Sequence, residues 1–254
     1  MNQPREPIFN VPAVVVGLIA ALVFIHVVRA WVLTPDEDFD LLLHFAFIPA
    51  RYDAATAVET WLPTSLDVQA WTFLSYALIH ADITHLVVNL IWLLPFGTAV
   101  ARRFGATRFL LLFVVTAVAG GAAHLITHPH AVSPMIGASA AISGFMAAAI
   151  RFVFQHGGPL ENWRHANPQS YMVPAAPLLV ALRDPRILAF LVVWFGLNAL
   201  FGIGGVALMG GEQQEVAWQA HVGGFLAGLI LFPIFDAVPT ASAPGPGDAD
   251  PTVQ

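Results

Sequence analysis

Six long apolar runs follow one another along the chain, at about 12–33, 72–97, 107–127, 134–155, 187–208 and 217–236. A helix needs about 20 consecutive apolar residues to cross the hydrocarbon core of a bilayer. The residues are 57% hydrophobic and only 10% charged, whereas an ordinary soluble domain is about 25% charged. The sequence therefore predicts an all-α integral membrane protein with six transmembrane helices.

The flanking segments predict a single membrane domain with short ends. We expect a short cytoplasmic N-terminus over 1–11, the six-helix membrane domain over 12–236, and a tail over 237–254. The first apolar run is longer than the core of a signal peptide and lacks a clear cleavage site, so it is predicted to be a retained helix. The tail is rich in Pro, Gly and Ala and is predicted to be disordered.

The charged residues predict an orientation and exclude several kinds of site. Arginine supplies every positive side chain, and seven of the arginines lie in the loops after the second and fourth runs or at their edges: Arg102, Arg103, Arg108, Arg151, Arg164, Arg183 and Arg186. By the positive-inside rule these loops and both termini are cytoplasmic, and we expect a bacterial inner (plasma) membrane. The chain has no cysteine, which excludes disulfides and thiolate chemistry. A net charge of −6 gives no reason to expect nucleic acid as a partner.

Polar residues inside the apolar runs are functional candidates, because they are costly in a membrane and face inward. The second run carries His85 and Asn89 on one helix face, the fourth carries Ser139, and the sixth carries His221. All three runs cross from outside to inside. Ser139 and His221 each lie about five residues into their runs, roughly 8 Å deep. The four residues are therefore predicted to meet in the outer half of one bundle.

Small residues around these positions favour close contact between the helices. The fourth run is rich in Gly and Ala, and the sixth carries Gly224 and Gly228 four residues apart, a spacing that lets helices approach closely in lipid. A serine hydroxyl becomes a good nucleophile when a base removes its proton, and neutral imidazole is a natural base near pH 7. No carboxylate lies within a run, so the pattern indicates a Ser139–His221 dyad with no third acid. His85, Asn89 and the Ser139 backbone N–H are candidate donors to an oxyanion.

Each of these residues also fits a structural role when it is taken alone. A single serine is typically a packing residue bonded to its own helix backbone, and Ser143 is assigned to that class. His221 alone could bridge two helices, and His85 with Asn89 could hold helices together. It is the combination of all four at one depth that favours chemistry.

The stretches HADITHLVVN, GASAAISG and AHVGG together resemble the motifs of the rhomboid family of intramembrane serine proteases. The resemblance implies a six-transmembrane-helix rhomboid-like bundle with Ser139 as nucleophile, His221 as base, and His85 and Asn89 at the oxyanion site. It implies a serine endopeptidase that cuts peptide bonds in or near transmembrane segments, with transmembrane protein substrates and the lipid bilayer as partners. No cofactor and no metal are implied.

Two residues depart from the pattern of that family. Ala140 stands where many members have glycine after the nucleophile, and Trp71-Thr72 stands where the family has a Trp-Arg pair in the first outer loop. Ala140 could reduce the space around the nucleophile. Thr72 in place of arginine could change the packing of the loop. The resemblance also suggests lateral substrate access past the fifth run, with the loop 206–218 as a flexible cap hinged at Gly210 and Gly211.

Three other functions compete with proteolysis. An inactive relative that binds or escorts membrane proteins would have a similar sequence, although this chain keeps both the serine and the histidine. A metal-dependent protein is suggested by His124, His128 and His130, because imidazoles at such spacing can bind zinc or copper. A transporter would show broken helices in repeated halves and charges at mid-membrane, and neither pattern is evident.

Overall fold

The computed structural model describes residues 11–60, 62–161, 167–203, 217–236 and 238. Within these ranges the protein is helical, and its β structure is one isolated antiparallel bridge between Phe47 and Met135. The predicted all-α class is confirmed. The predictions for residues 1–10, for Gly210 and Gly211, and for most of the tail lie outside the described residues. The helices are α1 Ala13–Trp31, α2 Pro35–Phe45, α3 Ala54–Thr60, α4 Leu66–Ser75, α5 Ile83–Thr127, α6 Ser139–Ala149, α7 Leu178–Ala181, α8 Pro185–Ile203 and α9 Trp218–Phe235.

Three of these helices, α1, α5 and α9, are long and apolar enough to cross a membrane. Shorter apolar helices cover Ser139–Ala149 and Pro185–Leu200. The 45 residues of α5 would extend about 67 Å as one straight helix, more than twice the thickness of a hydrocarbon core. The first, second, third and sixth apolar runs of the sequence thus lie in long helices, the second and third together in α5.

The long helix α5 is divided at Gly105, whose backbone has φ 76° and ψ 170°. Glycine adopts this conformation without the clash that a side chain would introduce. A methyl group placed on Gly97 would lie 3.5 Å from a ring atom of Phe109. Residues so far apart in sequence can touch only if the chain folds back at Gly105. The second and third apolar runs are therefore two helical segments, 83–104 and 106–127, packed side by side.

Two of the predicted run boundaries are wrong. The second run was expected to begin near residue 72, but α4 ends at Ser75 and α5 begins only at Ile83. The Asp82 carboxylate accepts a hydrogen bond from His85 N at 2.8 Å and caps the new helix, as N-cap carboxylates commonly do. The fourth run was expected over 134–155, but α6 covers only Ser139–Ala149. Gly137 has φ 123° before it, a left-handed geometry that excludes a helix.

The core of the molecule is formed by α5, α6 and α9. Every residue of α6 from Ala140 to Ala149 is buried. A methyl on Gly224 would lie 2.0 Å from the Ala140 carbonyl oxygen, and one on Gly228 would lie 2.2 Å from that of Gly144. The backbones of α6 and α9 are thus in direct contact, as the small-residue pattern predicts. This contact fixes the start of α6 beside the start of α9.

The segment between α1 and α5 is held by two buried arginines. Arg29 of α1 pairs with Asp38 through two hydrogen bonds of 2.6 and 3.0 Å and donates to the His80 carbonyl at 2.9 Å. Arg51 is 1% exposed and donates to the carbonyl oxygens of Leu43 and Ala46.

The Trp71-Thr72 pair also contributes to this loop. Trp71 Nε1 donates to the His44 carbonyl at 2.8 Å. The Thr72 hydroxyl lies 2.9 Å from the Tyr52 hydroxyl. The loop is therefore anchored without the Trp-Arg pair, through Arg51, Trp71 and Thr72.

Candidate active site

Three core helices begin at the same end of the bundle, and each carries a candidate residue in its first turn. Ser139 is the first residue of α6, His221 the fourth of α9, and His85 the third of α5. Ser139 is therefore not about five residues inside its helix, as the apolar run suggested. The unpaired N–H groups and the positive end of the helix dipole of α6 lie next to the Ser139 hydroxyl.

The Ser139 hydroxyl and the His221 ring are in hydrogen-bond contact. Ser139 Oγ lies 2.7 Å from His221 Nε2, and both residues are partly buried. A hydroxyl at this distance donates to an unprotonated ring nitrogen. The predicted meeting of these two side chains is observed, and the contact has the geometry that activation of a serine by a base requires.

A third side chain, Asn198 of α8, lies on the opposite side of the His221 ring. Its Oδ1 is 2.6 Å from His221 Nδ1, and its Nδ2 donates to the Trp194 carbonyl at 2.8 Å. Because the amide nitrogen is used by Trp194, the oxygen faces the ring, and His221 Nδ1 must carry the proton. The lone pair of Nε2 then faces Ser139 Oγ. This tautomer is the one in which the histidine can accept the serine proton.

Asn198 was not among the residues predicted from sequence. It lies in the fifth apolar run, in the stretch FGLNALFG, which crosses in the direction opposite to the runs that carry the other candidates. The rule that polar residues in transmembrane helices are functional candidates applies to it equally. The description of the site as two residues without a third partner is therefore incomplete, although the third partner is an amide and not an acid.

His85 lies next to the serine across Gly137. A methyl placed on Gly137 would be 2.7 Å from His85 Nε2 and 3.7 Å from Ser139 Oγ. The space above Gly137 is thus bounded by both groups, and only glycine leaves it open. His85 Nδ1 faces Ala81 N at 3.5 Å, which leaves Nε2 as the donor on the serine side. This arrangement suits a group that stabilises negative charge beside Ser139.

Asn89 is buried one turn below His85. Its Nδ2 donates to the His85 carbonyl at 2.9 Å, and its Oδ1 has no hydrogen-bond partner. One of its two N–H bonds is therefore used within its own helix. The structure brings Ser139, His221 and His85 together, whereas it shows no contact between Asn89 and the serine.

The methyl group of Ala140 is accommodated by a glycine on another helix. A methyl on Gly120 of α5 would lie 2.5 Å from the Ala140 Cβ, so the missing side chain at Gly120 provides the room that Ala140 fills. This methyl group packs between helices, and Ser139 remains in contact with His221. Ser143, one turn along, donates to the Ser139 carbonyl at 2.7 Å, the intrahelical bond expected of a packing serine.

Of the three histidines near the end of α5, His124 and His128 stack with ring centroids 5.0 Å apart, and His130 has a separate partner. His130 Nδ1 contacts Asp53 at 2.9 Å, and His128 Nδ1 contacts the Thr127 hydroxyl. The Thr56 hydroxyl, and to a lesser degree His130, lower the pKa of the Asp53 carboxyl. In the described ranges no three His, Cys, Asp or Glu side chains converge as metal ligands would.

The chain is similar to known proteins over the region that carries these residues. The family model described as "Rhomboid domain" matches residues 67–236. The chain is 32% identical over 174 residues to Rhomboid-like protease 3 of Toxoplasma gondii, an alignment that covers 67% of this chain and 54% of that protein.

Bacterial proteins are similar over the same region. The chain is 26% identical over 167 residues to Rhomboid protease GlpG of Klebsiella pneumoniae, covering 66% of this chain and 49% of the relative. It is 27% identical over 165 residues to Rhomboid protease GlpG of Haemophilus influenzae, covering 65% and 69%. The chain spans about half the length of the first two of these relatives.

Proposed function

Because the chain belongs to the rhomboid family, we propose that it is an intramembrane serine endopeptidase that hydrolyses peptide bonds in or near transmembrane segments of membrane proteins. The observation that carries the proposal is the 2.7 Å contact between Ser139 Oγ and His221 Nε2. The relatives that are named proteases add support. An inactive relative would have no need to keep a serine and a neutral imidazole in this geometry.

The proposed reaction begins with transfer of the Ser139 proton to His221 Nε2. Oγ attacks the carbonyl carbon of the scissile peptide bond, and the carbonyl oxygen gains negative charge. His221 then donates the proton to the departing amine, which leaves an acyl group on Ser139. A water molecule, deprotonated by the same imidazole, hydrolyses the ester and regenerates the serine.

The oxyanion in this reaction is stabilised by groups around Gly137. His85 Nε2 and the N–H of Ser139, at the start of α6, are the donors best supported by the geometry. Asn89 would contribute through the amide N–H that does not bond to the His85 carbonyl. Removal of one such donor typically lowers the rate about a hundredfold or more.

The proposed setting is the inner (plasma) membrane of a bacterium, with six crossings and both termini in the cytoplasm. The crossings would be α1, the two segments of α5, α6 with the turns after it, α8 and α9. A buried ion pair between Arg103 and Asp236, at 2.7 and 2.9 Å, lies at the ends of α5 segment 83–104 and α9 that are remote from the candidate site. By the positive-inside rule this end faces the cytoplasm and the site opens near the outer surface.

The proposed substrates are transmembrane helices that can unwind near their outer ends. A helix in lipid satisfies its own backbone hydrogen bonds, so a peptide bond becomes reachable only after local unwinding. Lateral access past α8 is the route that the packing favours, because α8 exposes the large apolar side chains of Val192, Val193 and Leu200. Helix α8 meets α9 through side chains, whereas α6 meets α9 through direct contact between backbones.

The deciding test is cleavage of a generic single-span substrate by purified protein in liposomes. Wild type should cut the substrate, whereas Ser139→Ala and His221→Ala should lose turnover by about a thousandfold or more. His130→Ala serves as the matched histidine control, because its side chain is 72% exposed and pairs only with Asp53. Full cleavage by Ser139→Ala would refute the proposal.

A second measurement separates the protease from an inactive relative. A fluorophosphonate reacts with a serine only when a base activates it, so wild type should be labelled and Ser139→Ala should not. Absence of labelling in the folded wild type would favour the inactive relative that binds or escorts membrane proteins.

A further inference from the structure

Helix α8 contacts the bundle along one narrow stripe. Phe190 packs on Phe96 with ring centroids 5.7 Å apart, and Trp194 stacks on Phe225 at 4.6 Å. Asn198 follows one turn later and binds His221. The stripe therefore consists mainly of apolar contacts. Its polar contact at the candidate site is the hydrogen bond that Asn198 Oδ1 accepts from His221 Nδ1.

Three of the contacts between α8 and α9 are evenly spaced. Trp194, Asn198 and Gly202 of α8 face Phe225, His221 and Trp218 of α9 in turn. A shift of four residues along one helix is matched by three or four residues in the reverse direction along the other, which is the pattern of antiparallel packing. The Asn198–His221 hydrogen bond therefore lies between two other contacts that fix the register of the helices. One is the Trp194–Phe225 stack, and the other is the close approach of Gly202 to Trp218.

We propose that Asn198 is a positioning residue that keeps His221 in the tautomer able to accept the Ser139 proton, and that it does so only while α8 is packed against α9. This inference rests on the proposed function. Asn198 touches neither the serine nor the substrate's expected position, and acts through the imidazole alone.

The orientation of the Asn198 amide makes this tautomer unique. Nδ2 donates to the Trp194 carbonyl at 2.8 Å, and Oδ1 accepts from His221 Nδ1 at 2.6 Å. A flipped amide would place its oxygen against the Trp194 carbonyl and lose that hydrogen bond, and its N–H group could bond to the ring only if Nδ1 carried no proton. One backbone carbonyl thus determines which ring nitrogen of His221 holds the proton.

An amide is well suited to this place in the membrane. A carboxylate could accept from the same ring nitrogen, but a buried charge needs several compensating contacts, and near His221 the described residues offer none with a positive side chain. A neutral acceptor orients the ring at little cost. Since α8 carries that acceptor, displacement of α8 would free the His221 ring to change its tautomer or to rotate away from Ser139.

The test compares two substitutions of Asn198 with a control on the same helix. Asn198→Leu has nearly the same shape and no acceptor, whereas Asn198→Asp keeps an acceptor oxygen. Leu188→Ala removes a side chain that is 45% exposed, near the end of α8 remote from Asn198, and controls for general damage to α8. The full chain is assayed in liposomes for kcat and KM, for the rate of fluorophosphonate labelling, and for thermal unfolding.

Histidine tautomers are read directly from ¹⁵N chemical shifts of histidine-labelled protein, with the His221 signals assigned by their loss in His221→Ala. Wild type should show a single tautomer with the proton on Nδ1. In Asn198→Leu we expect a mixture of tautomers, a labelling rate and kcat about tenfold lower, as expected for the loss of about 1.4 kcal/mol of hydrogen bonding, and an unchanged KM. Asn198→Asp should restore the labelling rate to within about threefold, and Leu188→Ala should match wild type.

The inference is overturned if Asn198→Leu keeps the wild-type labelling rate and a single His221 tautomer. It is also overturned if Asn198→Asp and Asn198→Leu label equally slowly while His221 keeps a single tautomer in both, since that result would assign Asn198 to packing. Labelling and tautomer are measured without a peptide substrate. A wild type that is labelled but cuts no membrane protein would therefore contradict the proposed function and leave the assignment of Asn198 to be decided by these two measurements.

Discussion

Two of the helices that pack against α9, α6 and α8, contact it in opposite ways. On one side, the backbones of α6 and α9 touch: methyl groups on Gly224 and Gly228 would fall 2.0 and 2.2 Å from carbonyl oxygens of α6. On the other side, α8 meets α9 through side chains, namely the Trp194–Phe225 stack and the Asn198–His221 hydrogen bond. His221 therefore has one partner on a tightly packed helix and one on a loosely packed helix.

This difference assigns separate roles to the two interfaces. The α6–α9 contact sets the distance between Ser139 and His221, which must be constant for proton transfer. The α8–α9 contact orients the imidazole, and because it is made by side chains we expect it to be weakened at a lower cost than a contact between backbones. Substitutions in the first interface should damage folding and activity together, whereas substitutions in the second should reduce activity with little loss of stability.

The largest effect is expected for Gly224→Ala. Its methyl group would overlap the Ala140 carbonyl, and a backbone atom cannot move aside as a side chain can. Overpacking of a core usually costs 1–3 kcal/mol, and we expect about 3 kcal/mol here. Turnover should fall about a hundredfold or more because α6 and Ser139 must shift. Activity and thermal unfolding in liposomes measure both effects.

Gly17→Ala is the matched control, because no atom lies within 4 Å of a methyl group at that position in α1. It should be as active as wild type and at least as stable. If Gly224→Ala retained wild-type activity and stability, the backbone contact between α6 and α9 would not be what sets the distance between serine and histidine.

A smaller effect is expected for Gly202→Ala, on the other side of α9. The new methyl group would lie 2.3 Å from a ring atom of Trp218, and would push α8 away from α9 near the Asn198–His221 bond. We expect turnover to fall about tenfold with a loss of stability below about 1 kcal/mol, since only one hydrogen bond and a few apolar contacts weaken. Turnover and thermal unfolding are measured for both variants, and the loss of activity relative to the loss of stability should be larger in Gly202→Ala than in Gly224→Ala.

Gly196→Ala on the same helix meets no atom within 4 Å and should leave turnover unchanged. A loss of stability in Gly202→Ala as large as that in Gly224→Ala would mean that the two interfaces do not differ in kind.

The sequence predicts the residues of this site better than it predicts the boundaries of the helices. Ser139, His221 and His85 could be identified as candidates because they are polar residues within apolar runs and because their order along the chain can be read from the sequence. The start of α6 could not, because hydropathy does not register the positive φ of Gly137, which ends the extended segment just before the serine. The pairing of Ala140 with Gly120 needs tertiary contacts between distant segments, which hydropathy does not contain.

The omission of Asn198 has a different cause. A polar residue in an apolar run is visible in sequence, but its partner is set by which helices are neighbours and by the direction of an amide. The fifth run crosses in the opposite direction to the sixth, and residues near its end therefore reach the same depth as residues near the start of the sixth. A polar residue near the end of one transmembrane helix can therefore meet a residue near the start of an oppositely directed neighbour, as Asn198 meets His221.

A third prediction concerns the aromatic pair next to Asn198. Trp194 and Phe225 stack with an interplanar angle of 30°, and aromatic pairs contribute about 0.5–1.5 kcal/mol beyond the area they bury. Trp194→Ala should lower turnover about threefold by loosening α8, and Trp194→Phe should recover most of it. The Trp194 carbonyl that orients Asn198 is unaffected in both variants. Equal turnover in Trp194→Ala and wild type would show that this stack does not hold α8 in place.

The smallest effect is expected for Ser143→Ala, within the tightly packed interface. The Ser143 hydroxyl donates to the Ser139 carbonyl at 2.7 Å, a bond within one helix that leaves the α6–α9 contact unchanged when it is removed. Alanine is also the better helix former, which offsets the lost bond, so stability should change by less than about 0.5 kcal/mol and turnover by less than about twofold. Turnover and thermal unfolding, measured beside Ser139→Ala, test this. A tenfold loss of turnover would mean that the position of the Ser139 backbone depends on a side-chain hydrogen bond, and that contact between backbones is insufficient to hold the nucleophile.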